Sequence, residues 1–287
     1  MMVKMDDLTS PQSHLRVLAQ AGHVRQALEL AAALEITPDF SRLNLSNTDL
    51  QGALLANINF THADLTRANL RQVDLTHADL TGANLQEAML TRARLTGARL
   101  AHATLTEAML LRADLSRTDL TQARLVRADL IRATLFGADL TQAWLTEAGL
   151  RGANLQGARL HNTTFTDTDL RGANLHNTDL TQASLYRAVY DRETCWPDGF
   201  DRQNSGAIGP GANLQGVDLS GAYLYRVDLT DADLQGADLS NAQLFWTCLN
   251  RANLTGANLT GTDLTGVQYN AETCWPDGFT PPRSSPG

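Results

Sequence analysis

The chain has 287 residues, 43% apolar, 6% aromatic and 19% charged, with 23 Lys and Arg against 31 Asp and Glu for a net charge of −8. That acidity argues against generic nucleic-acid binding through bulk positive charge, and three cysteines are too few for a disulfide framework and fit a reducing compartment. No run of about 18 apolar residues could span a bilayer, and the opening MMVKMDDLTS places two acids where a secretory signal would need an apolar stretch, so a soluble cytoplasmic protein without membrane contact is expected.

Residues 1–40 lack the repeat that dominates the rest and are expected to form a short α-helical cap. Ser10-Pro11 is a helix start, Ser as cap and Pro in the first turn. His14 to Ala21 reads as one helix stopped by Gly22, and His23 to Leu34 as a second, with Val24, Leu28, Ala31 and Leu34 on one face. These helices are expected to cover the end of the following coil; a role in partner binding is the sharper alternative.

From 41 to 190 a period of five takes over. Every fifth residue from Leu45 to Tyr190 is apolar, and the pattern returns from Leu214 to Tyr269, within a second tract at 212–269. Of these 42 centres 38 are leucine; Ala commonly stands two residues before the centre, and Asp or Asn one before. Between the tracts, 191–211 reads as a loop excursion carrying Trp-Pro-Asp-Gly, whose Pro and Gly have tight-turn chemistry. Its segment YDRETCWPDGF at 190–200 is nearly copied as YNAETCWPDGF at 269–279, so 270–287 is expected to hold a C-terminal cap, with a disordered tail from Thr280.

Neither regular backbone suits this period. An α-helix would turn successive leucines about 140° apart, leaving no common face. A flat strand alternates sides, so an odd period would send successive leucines to opposite faces. A short extended piece followed by a corner in every repeat satisfies both, and Asp or Asn beside the centre suits such corners. Echoes twenty residues apart (EAML at 87 and 107, RGANL at 151 and 171) lean toward four repeats per turn, although THADL recurs after fifteen.

The A(D/N)LxxA(D/N)L run resembles the pentapeptide-repeat family, and the resemblance covers about three quarters of the chain. It implies an all-β solenoid: a right-handed, four-sided β-helix of about 10 coils, on the order of 50 Å long at the spacing of stacked strands. The TCWPDGF segments are similar to those of cyanobacterial members.

No catalytic constellation emerges. No nucleophile elbow, P-loop, dinucleotide fingerprint, CxxC or HExxH spacing is present, so no enzyme activity, cofactor or metal is expected. Outward positions are free to vary, and there the chain departs from Thr, Ser and Gln. From Thr91 to Arg132 it carries eight arginines against four acids, and Arg92, Arg112 and Arg132 would stack on a twenty-residue coil. Nearby outward sites hold Met89, Met109, Leu111, Val126, Ile131, Phe136 and Trp144, a mixture typical of protein-binding surfaces. A second candidate places Tyr225 below Phe245 and Arg226 below Trp246, a possible aromatic ladder with a cation–π contact.

The favoured reading is a non-catalytic interaction scaffold that binds a protein partner through the zone at about 89–144. The alternative comes from the resemblance: some members mimic duplex DNA and modulate DNA gyrase, and this chain is acidic. Its positive central zone, and a C-terminus without a helix-like dimerisation segment, depart from that pattern. A third reading makes the coil a spacer and gives binding to the N-terminal helices.

Overall fold

The computed structural model describes residues 10–283. Helix α1 (Pro11–Gln20) begins at the expected start: Ser10 accepts the Ser13 amide on its hydroxyl and Pro11 fits the first turn. Gly22 at φ +86 breaks the helix, and α2 (Val24–Ala33) follows. Leu15, Ala19, Val24, Ala27 and Ala31 are buried; Leu34, expected on that face, lies past the helix end and is 45% exposed. The Arg16 guanidinium donates to the carbonyls of Asp39 and Ser41, and Gln12 also donates to Asp39. These bonds tie α1 to the start of the coil, where Phe40, Leu43 and Leu45 are buried.

The chain forms two compact units, one of residues up to 165 with 173–184, the other of 166–172 with residues from 185 onward. In the first, isolated parallel bridges join residue i to residue i+20 in four series beginning at Asp39, Asn44, Asp49 and Leu54. A period of five with stacking at twenty makes a four-sided coil. We number its sides first to fourth in that order.

One repeat shows how every side is made. The Leu65 amide donates to the carbonyl of Asn84 on the next coil (2.7 Å), and Arg67 donates to Gln86 (2.9 Å). Ala68 donates back to Leu65 (3.0 Å), closing a turn whose third residue, Arg67, has φ +57. The left-handed conformation therefore falls two residues after almost every centre, on Arg, His, Gln, Glu, Asp, Asn, Trp or Gly, and not on the Asp or Asn immediately before the centre. Those acids and amides act as caps instead: Asp64 Oδ1 accepts the amide of Thr66 (3.0 Å) and its hydroxyl. Leucine centres and the alanines two residues before them fill the interior, most at 0–1% exposure. The first-side series stops at Arg159, and a crevice of about 350 Å³ lies beside it, lined by His161, Asn177 and Asp179.

In the second unit, Val189 bridges Ile208, and the Arg187 amide donates to Gly206. Backbone pairing thus resumes by Gly206, inside the segment expected to leave the coil. Gly209 takes the centre slot, five before Leu214; a Cβ there would lie 2.7 Å from ring atoms of Tyr190, whose buried side chain occupies the space. Trp196 meets Tyr190 edge-on at 5.3 Å and stacks on Phe200 at 5.3 Å. Trp275 does the same with Tyr269 and Phe279, at 5.2 and 5.4 Å. The Tyr269 hydroxyl donates to the Pro282 carbonyl, so the expected loose tail is held as far as Pro282; residues 284–287 lie outside the described residues.

Candidate functional site

The twenty-residue register sorts the outward side chains of the first unit by side. Each repeat shows three: the bridge residue before the centre, the residue after it, and the left-handed corner residue. On the third side, Met89 bridges Met109, and Met109 bridges Asp129. One column over lie Leu111 and Ile131, joined to the corner column by the bonds Arg92 N–H to Leu111 O (2.9 Å) and Arg112 N–H to Ile131 O (3.0 Å). Met109 is 46% exposed, Met89, Leu111 and Ile131 are half-buried, and the three arginines are exposed. Ile131 reaches over Gly149, where a Cβ would lie 3.7 Å from its Cγ1.

The other predicted residues do not join this strip. Val126 and Trp144 belong to the second side and Phe136 to the fourth, and the second and fourth sides are opposite one another. A stretch of 56 residues wraps the coil almost three times, so nearness along the chain is not nearness on the surface. The structure brings together Met89, Arg92, Met109, Leu111, Arg112, Ile131 and Arg132.

Trp144 has a different partner. The Arg124 guanidinium lies over its ring, 4.7 Å from the centroid. Sequence reading counts Arg124 only as charge; its separation of twenty from Trp144 is the signal that would have joined them. In the second unit the expected cation–π contact is present but between other partners, Arg226 over Tyr225 at 5.2 Å, and Tyr225 pairs with Tyr223 at 6.1 Å; among the described residues no ring contact joins Tyr225 to Phe245. Trp246 leans over Gly266, whose missing side chain leaves room for the indole.

Electrostatics set the arginine column beside the third side apart from most of its neighbours, although Arg42, Arg117 and Arg124 on other sides also lack a carboxylate among the described residues. Across most of the coil an arginine meets a carboxylate twenty residues away: Arg67 with Glu87, Arg94 with Asp74, Arg99 with Asp79, Arg159 with Asp139. Arg127 sits between Glu107 and Glu147, and its hydrogen bond to Glu147 raises its pKa above the ordinary guanidinium value. Among the described residues, Arg92, Arg112 and Arg132 have no carboxylate partner. Three like-charged side chains rooted on successive coils, whose backbones stack about 4.8 Å apart, gain nothing from one another. Among the described residues no group of three His, Cys, Asp or Glu is placed to hold a metal ion.

The pattern described as pentapeptide repeats matches residues 39–185 and 211–268. The chain belongs to the pentapeptide-repeat family. Similar solved members include HetL, involved in heterocyst differentiation regulation in the cyanobacterium Nostoc sp. strain PCC 7120. That protein is 29% identical over 84% of this chain and 93% of its own, with a TM-score of 0.44. Another Nostoc pentapeptide-repeat protein, alr5209, is 34% identical over 33% of this chain and 82% of its own, with a TM-score of 0.19. QnrB1, a plasmid-mediated fluoroquinolone resistance protein, is 17% identical over 58% of this chain and 84% of its own, with a TM-score of 0.51; at that identity the likeness is one of fold. No curated protein matches this pentapeptide-repeat chain.

Proposed function

We propose that this protein is a non-catalytic binding scaffold that engages a protein partner through the third side of its first unit. The observation that carries the reading is the unpaired column Arg92, Arg112 and Arg132 beside the apolar strip Met89, Met109, Leu111 and Ile131. A β-helix gains nothing in stability from adjacent unbalanced cations, nor from a thioether turned to water. Both features suit a surface whose missing half is another molecule. The reading that makes the coil a mimic of DNA needs rows of open carboxylates. In the first unit Asp74, Asp79, Glu87 and Asp139 are each matched by an arginine one coil away, whereas Asp218 and Asp238 of the second unit stack without one.

A photo-crosslinking side chain tests this directly, placed at Met109 in one variant and at Gln122, on the first side, in another. The expected result in cells of the source organism is a discrete adduct from position 109 that is absent from position 122 and lost on Arg112→Glu. Identical adducts from both positions, or none from 109, would remove the assignment.

A further inference from the structure

We infer that the occupant of the third side is an amphipathic α-helix with an acidic flank, lying parallel to the direction in which the coils stack. The inference rests on the binding role just proposed and adds the shape and charge of the partner.

Spacing supports it first. Met89, Met109 with Leu111, and Ile131 occupy three successive coils. Coils stack at about 4.8 Å, and an α-helix rises about 5.4 Å per turn, so over two steps the two drift apart by only about 1 Å. A helix can thus set one apolar side chain per turn against each coil. An extended strand along the same line repeats on one face at about 6.7 Å and slips by about 4 Å over those two steps, most of one coil. Pairing a strand onto the coil by its backbone is closed as well. The Met89 and Met109 amides already donate to Ala68 and Ala88, and their carbonyls accept from Leu70 and Leu90.

Charge supplies the second constraint. The arginine column runs along one margin of the apolar strip, with a guanidinium on each of the same three coils. A helix whose apolar residues recur three and four apart carries, one position after each, a flank facing the same way. Carboxylates there would meet Arg92, Arg112 and Arg132 one for one and supply the partners they lack.

The test uses the whole chain and three fluorescent synthetic peptides. The first has leucines spaced alternately three and four apart and a glutamate after each; the second has lysine for glutamate; the third has the first peptide's residues with two central positions changed to proline. Anisotropy titration should show saturable binding of the first peptide alone. Changing all three arginines to glutamine should weaken binding about tenfold, the summed effect of three exposed ion pairs. Changing them to lysine should retain most of it, with melting temperature confirming that each variant is folded. Equal binding of the lysine or proline peptide, or no binding of the first, overturns the inference. If position 109 still yields its specific adduct in that event, the binding role of the third side stands and only the helical, acidic occupant is lost.

Discussion

Gly209 occupies a position that leucine holds almost everywhere else, and the Tyr190 ring fills the space its side chain would need. Adding a methyl group there overpacks a closed core, which costs about 1–3 kcal/mol. Gly209→Ala should therefore lower stability by about that amount in urea unfolding. In a Tyr190→Leu background the same change should cost under about 1 kcal/mol, since the ring is gone. Equal costs in both backgrounds would mean that the clash is not the cause. The Tyr190 hydroxyl also donates to the Pro210 carbonyl at 2.9 Å. Burial pushes its pKa up to about 12, keeping it a donor across the working pH range.

At the scale of one repeat, the side chain before the centre stitches its corner. Asp74, Asp179, Asp218, Asp238 and Asp263 each accept from the amide and hydroxyl of the residue two further on, and these bonds hold their carboxyls below the ordinary carboxylate value. A folded pKa below the unfolded one stabilises the fold above the unfolded value, near 4, and that contribution is lost as pH falls through the folded values. The melting temperature should change little between about pH 7 and 5 and drop below about pH 4. A melting temperature that rises on acidification through pH 4 would contradict this account. The YDRETCWPDGF segment reuses the device: Asp191 Oδ1 accepts the amides of Gly172 (2.9 Å) and Glu193 (3.0 Å). Asn270 does the same for Arg251 and Glu272, so the duplicated sequence reproduces one local geometry twice.

At the scale of the whole molecule, the four-sided coil is legible in the sequence because spacing alone excludes a helix and a flat strand. Two things are not. Gly209 hides a centre, since no apolar side chain marks it, and the count of five therefore breaks at 190 although the backbone pairing continues to Gly206 and Ile208. The outward zone from Met89 to Trp144 reads as one patch because sequence is linear, whereas folding distributes it over three sides. Only the register shows that Phe136 and Trp144 face opposite ways, and only contacts show that the arginines at 92, 112 and 132 lack carboxylates. The same register makes a prediction about length. Five extra residues of repeat pattern inserted after Leu100 should leave a folded protein that no longer binds the acidic helical peptide, because Met89 and Arg92 would be turned a quarter revolution from Met109 and Arg112. Twenty extra residues should leave those pairs in line but one storey further apart. Binding that survives the five-residue insertion would break the link between register and recognition.

That geometry gives insertions and deletions an arithmetic of their own. A gene for such a coil can gain or lose any number of fives without exposing its hydrophobic lining, so its fold places little restraint on growth. Recognition is stricter, because only multiples of four repeats return each motif to its compass bearing. Lineages of these chains are therefore free to drift in height in whole storeys, while smaller steps rewrite what each wall displays.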